Sequence, residues 1–89
     1  MQVTMSKRWL KLREGEAYMC TLAPRRILML LREDDGTWCL WWGQYAEEQW
    51  GKPIKERTLA SGLSFEAALK RGEEYLDWWF EQRKKGGKA

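Results

Sequence analysis

The sequence predicts an α+β fold: an antiparallel sheet of four to five strands in meander order, packed on one long C-terminal α-helix, in a single domain over 1–89. Three observations predict it. Short segments of apolar and polar alternation follow one another as far as residue 59, each closed by turn residues. Asp34-Asp35-Gly36 lies between two apolar runs, where glycine supplies the positive φ of a tight hairpin. After Ser64 the apolar spacing changes to the threes and fours of a helix.

Residues 1–6 carry no pattern and are expected to form a flexible arm. A half-buried strand is expected over 7–13, with Leu10 and Leu12 on one face and Lys11 and Arg13 on the other. Glu14-Gly15-Glu16 turns the chain. The next strand covers 17–23, with Tyr18, Cys20 and Leu22 on one face, and Pro24 ends it because proline has no amide to donate. Strands over 25–33 and 37–43 flank the Asp34-Asp35-Gly36 hairpin. The stretch 44–52 reads either as one helical turn carrying Tyr45 and Trp50 or as an ordered loop. A polar edge strand is expected over 53–59, its charges discouraging pairing with other chains. Residues 60–63 then lead into the helix.

Ser64 is a good N-cap, and Glu66 in the first turn suits the positive end of the helix dipole. The helix should run to about Arg83, before Gly86-Gly87, and leave 84–89 as a basic flexible tail. Glu66/Lys70 has the spacing of a favourable helical ion pair. On a helical wheel Phe65, Ala68, Leu69, Gly72, Leu76, Trp79 and Phe80 fall within a third of the circumference, and this stripe should meet the sheet. Gly72 within it would let the helix approach a bulky sheet residue closely.

Composition limits function. A chain of 89 residues buries only ~60–65% of its unfolded surface, so its core is thin. There is no histidine, which removes the Ser-His-Asp and Cys-His catalysts. Cys20 and Cys39 lack CxxC spacing and cannot complete a four-ligand zinc site, so they read as small apolar residues in a reducing compartment. No GxGxxG and no GxxxxGK[ST] loop is present. Asp34/Asp35 is turn chemistry, and Glu47/Glu48 reads as a solvated face. The expectation is a non-enzymatic protein with no catalytic residues, no cofactor and no metal. The N-terminus does not resemble a signal peptide, and the longest aliphatic run, 27–31, is far too short for a membrane span. A cytoplasmic location is expected. The net charge of +3 is mild, with Arg83, Lys84, Lys85 and Lys88 in or beside the tail as a solvated end or as a phosphate-touching arm.

The third and fourth strands are apolar on both faces. Ile27, Met29 and Leu31 alternate with Leu28 and Leu30; Trp38, Leu40 and Trp42 alternate with Cys39 and Trp41. Such strands belong where both sheet faces are covered, yet only one amphipathic helix follows. The second face must meet the 45–50 segment, the N-terminal strands, a second copy or a ligand. Trp78 lies off the helical stripe. These features point to binding of a protein partner or to homodimerisation through Leu28, Leu30, Trp41 and Trp78. The alternative is a nucleic-acid-binding module using Trp9 and Trp50 with Lys7, Arg8, Arg25, Arg26, Lys55 and Arg57.

The stretch 25–79 resembles, in element order, the DNA-binding module at the N-terminus of some phage-type integrases and the antitoxin domain of HicB type. The likeness rests on the Asp34-Asp35-Gly36 turn and the Ser64-Phe65-Glu66-Ala67-Ala68 helix start. Both are generic turn and cap chemistry and assign neither family. The Trp-rich fourth strand departs from the integrase pattern, whose DNA-facing strands are more polar. Small chains of this composition are associated with phages and mobile elements, some as inhibitors of host defence.

Overall fold

The computed structural model describes residues 5–46 and 51–86. β1 (Leu10–Arg13), β2 (Ala17–Ala23), β3 (Arg26–Arg32), β4 (Trp38–Gln44) and β5 (Lys55–Leu63) form one antiparallel sheet in chain order. α1 (Phe65–Gly86) packs on β3, β4 and β5. The expected α+β meander with a C-terminal helix is the observed architecture.

Turn chemistry places the hairpins. Gly15 and Gly36 both have positive φ, at 73° and 88°. In the second hairpin Asp35 Oδ1 accepts bonds from the Thr37 amide at 2.9 Å and its hydroxyl at 2.6 Å. These bonds hold the Asp35 carboxyl below the usual carboxylate range. The turn sets the β3–β4 register, so that Leu30 faces Leu40, Met29 faces Trp41 and Leu28 faces Trp42.

One layer of core fills the space between sheet and helix. Tyr18, Cys20 and Leu22 of β2, Leu28 and Leu30 of β3, and Trp38, Leu40 and Trp42 of β4 meet Phe65, Ala68, Leu69, Leu76 and Trp79 of α1. Leu28, Leu30, Leu40 and Leu76 are fully buried, each worth roughly 1.5–3 kcal/mol of transfer free energy. Aromatic groups close the two ends. Tyr18, Trp38 and Phe65 pack with ring centroids 4.8–6.0 Å apart. At the other end Tyr75 stacks on Trp79 at 6.4 Å and touches Trp78 at 5.6 Å.

Five expectations need correction. Residues 60–63 belong to β5, because Leu63 pairs with Trp38 and gains apolar contact by extending the ladder. Ser64 caps the helix as expected, its Oγ accepting the Ala67 amide at 3.1 Å, but α1 continues beyond Arg83 to Gly86. The buried helical stripe includes half-buried Tyr75, whereas Phe80 is exposed. Met5 and Ser6 are held against the domain: Met5 packs on the core and Ser6 Oγ donates to Glu73 at 2.7 Å. Among the described residues Glu66 and Lys70 are not an ion pair; Glu73 and Asp77 instead bind Arg8. The ambiguous stretch divides: Gln44 ends β4, 47–50 lies outside the described residues, and Tyr45, Ala46, Gly51 and Lys52 are non-helical. No helix among the described residues is long and apolar enough to cross a membrane.

Candidate binding surfaces

The four residues expected to form one partner surface fall in three places. Leu28 and Leu30 are 0% exposed, beneath α1. Trp41 lies on the opposite face of the sheet, across from Met29. Trp78 projects from the helix and is 53% exposed. The correction has a simple cause. Alternation separates two faces of β3 and β4, but the helix takes the face carrying Leu28, Leu30, Leu40 and Trp42. The surplus face is therefore the odd-numbered one.

That second face has a regular composition. Register joins Leu10, Met19, Met29, Trp41 and Thr58 in one row across all five strands. Ala17, Leu31 and Cys39 flank it on one side, and Thr21, Ile27, Gly43 and Glu56 on the other. Leu10 is 59% exposed, Met19, Met29, Leu31 and Trp41 are half-buried, and Ile27 and Cys39 at its flanks are buried. The Trp41 indole folds back over Gly43 and donates to Glu56 Oε1 at 3.0 Å. Among the described elements none lies over this face, since α1 occupies the other.

The residues expected to contact nucleic acid also separate. Trp9 is buried between α1 and the sheet, its indole N–H bonded to Glu73 Oε2 at 2.8 Å. It is therefore a core residue, as its contact with Gly72 requires. Arg8 binds Asp77 at 2.8 Å, and that hydrogen bond raises its pKa against the opposing effect of burial. Arg25 donates to the Ala46 carbonyl at 2.9 Å. Lys7 is exposed in the turn before β1, and Trp50 lies outside the described residues. The remaining three converge. Arg26, Gln44 and Lys55 form one row across β3, β4 and β5, and Leu28, Trp42 and Arg57 form the next, both on the helix side.

Two residues along β4 from Trp42, Leu40 lines a cleft that the sequence did not single out. It lies between α1 and the β4–β5 half of the sheet, with a volume of about 270 Å³, lined by Leu40, Leu59, Arg71, Glu74 and Tyr75. Beyond Tyr75 the Arg26 guanidinium is sandwiched, 4.2 Å from the Trp42 ring and 5.1 Å from the Trp79 ring. Its Nε is buried and has no acceptor, whereas its terminal nitrogens are not closed off. The helical spacing of Arg71, Glu74, Tyr75 and Trp78 signals this side of α1.

Reactive chemistry is poorly served. Burial pushes Cys39 up to about 11 and raises Cys20 as well, so neither thiol is activated. Glu73 is occupied by Ser6, Arg8 and Trp9. Among the described residues no group of three or more cysteine, aspartate or glutamate side chains is placed to hold a metal ion. Compared with known families, curated proteins and solved structures, the chain matches none.

Proposed function

We propose that this protein is a non-enzymatic binding protein that docks through the uncovered face of its sheet, and that a second copy of the chain occupies that face. The observation carrying this reading is the row Leu10–Met19–Met29–Trp41–Thr58, apolar on four of its five strands. Charge among the residues paired on this face is confined to Arg13 and Glu56, both at its margins. A centre without charge has nothing to offer a phosphate backbone, and it is complementary to itself. A two-fold pairing lays the same patch on its own copy, as closed dimers require.

Area sets the strength. Five strands of about seven residues present a footprint of about 550 Å² at strand spacings of ~4.8 Å and rises of ~3.3 Å. Two such faces bury about 1,100 Å², the low end for a specific interface. The dimer should form and dissociate with concentration.

The test is light scattering over a dilution series at low and high salt. The expected result is a monomer–dimer equilibrium insensitive to salt, shifted to monomer by Met29→Lys with unchanged circular dichroism. A wild-type chain that stays monomeric at millimolar concentration would overturn the reading, as would a Met29→Lys variant that dimerises like wild type.

A further inference from the structure

The cleft between α1 and β5 has a second chemistry, independent of the sheet face on the other side. We propose that it binds single-stranded nucleic acid, with bases on the aromatic side chains of α1 and phosphates along the cations of β3 and β5.

The charge argument comes first. Arg26, Lys55, Arg57 and Arg71 form no ion pair among the described residues, whereas Arg8, Lys11 and Arg13 each have a carboxylate partner. Arg26, Lys55 and Arg57 stand in two adjacent rows of the sheet on the helix side, and Arg71 faces them from the cleft wall of α1. Arg26 is the most telling. Two indole faces hold it in place, and its terminal nitrogens remain open. An arginine fixed in this way without a carboxylate is preorganised to receive an external anion.

Spacing supports an extended anion. Lys55 and Arg57 are alternate residues of an edge strand, about 6.7 Å apart along it. Lys55 shares its row with Arg26, two strands inward. The three cations therefore spread over the helix-side surface of β3 and β5, which suits successive phosphates better than one small anion. The cleft, at about 270 Å³, lies just below the usual range for a small-molecule pocket, ~300–1,000 Å³. It has room for one planar group at a time.

The aromatic argument selects nucleic acid over an acidic peptide. Trp78 is 53% exposed and rests on Tyr75, which leaves much of its surface free. Base stacking on such a ring is sequence-tolerant, because every base has a π-face. Glu74 on the cleft wall would repel a phosphate. It thereby orients the strand, with phosphates toward β5 and bases toward the helix.

The experiment is fluorescence anisotropy with a labelled oligothymidylate of about 12 nucleotides, against the same length of duplex and against polyglutamate as competitor. Three neutralised phosphates predict a slope near −2 in log K against log salt, or about 20-fold weaker binding between about 50 and 200 mM. Trp78→Ala should weaken binding about tenfold, Arg57→Ala should weaken it and flatten the salt slope, and Glu74→Gln should strengthen it. Trp78 and Arg57 are exposed, so these variants should fold, as circular dichroism will verify. Met29→Lys should bind the oligonucleotide like wild type, which separates this result from the test of the sheet face. No binding at about 50 mM salt, equal competition by polyglutamate, preference for duplex, or full affinity in folded Trp78→Ala would each overturn the proposal.

Discussion

The indole of Trp9 lies directly against Gly72, its Cζ2 only 2.9 Å from the point a β-carbon on residue 72 would occupy. The ring is wedged between helix and sheet, with Leu40 Cδ1 3.4 Å from the same point. Alanine is favoured over glycine in a helix by about 1 kcal/mol, so Gly72→Ala would ordinarily stabilise. Here the ring cannot yield easily, because its N–H is anchored to Glu73. Overpacking of this kind costs about 1–3 kcal/mol. Gly72→Ala should therefore be destabilising by up to about 2 kcal/mol in urea unfolding, with a shift in tryptophan emission. A gain in stability would mean that Trp9 moves freely.

The close approach at Gly72 was legible as a glycine in the apolar stripe, but its partner was not. The expected partner was a strand residue, and Trp9, which the alternation over 7–13 puts with Lys11 and Arg13, instead lies before β1 and is buried. The β3–β4 register follows from the Asp34-Asp35-Gly36 turn, which sets Met29 against Trp41 and Leu28 against Trp42. Which of the two faces receives the helix is not a local property. Both are apolar, and the choice depends on how α1 leaves β5. The expected surface failed on register as well, because it joined Leu28 and Leu30 to Trp41, which the pairing of Met29 with Trp41 places on the opposite face. The cleft cations were partly visible as Arg26, Lys55 and Arg57. Their separation from Arg8 was not, because Arg8 is claimed by Asp77, 69 residues away.

Glu73 ties the N-terminal segment to the helix. Its Oε2 accepts from Ser6 Oγ at 2.7 Å and Trp9 Nε1 at 2.8 Å, while Arg8 lies 3.5 Å from Oε1. Hydrogen bonds to charged acceptors are worth about 1.5–3 kcal/mol, discounted here because the site is partly solvated. Glu73→Ala should cost about 1–2 kcal/mol and raise amide exchange in residues 5–9 before it does so in β3. Glu73→Gln keeps the oxygen acceptor and should recover part of the loss. Equal exchange in the variant and wild type would mean that packing of Met5 and Trp9 alone holds the segment.

Trp41 and Gly43 are coupled on the other face. A β-carbon at residue 43 would collide with the Trp41 ring at Cη2. Gly43→Ala must swing the indole outward and break its 3.0 Å bond to Glu56. We expect a loss of about 1–2 kcal/mol and a red shift in emission. Since the displaced ring would stand in the dimer interface, self-association should weaken too. Light scattering and equilibrium unfolding on the same variant would separate the two effects. Unchanged emission would show that the ring is not seated over Gly43.

Cys20 and Cys39 lie on opposite faces of the sheet, one packed beneath α1 and the other paired with Leu31 on the uncovered face. Both are buried and free, and no disulfide can join them through the sheet. Reductant should leave the melting temperature unchanged. Alkaline pH should not. Cys39 is pushed from 9.0 up to about 11, by burial first and then by Glu33, so the folded state keeps its proton where the unfolded chain releases it. The resulting stabilisation is fully present below about pH 9 and is lost as pH rises from about 9 to about 11, on the order of 2 kcal/mol. Burial shifts Cys20, Tyr45 and Tyr75 in the same direction, which steepens the fall. Urea midpoints at about pH 8 and about pH 10.5 should differ accordingly, and Cys39→Ala should reduce the difference. A flat profile over that interval would mean that water reaches the Cys39 thiol and that this sheet face is more open than its burial indicates.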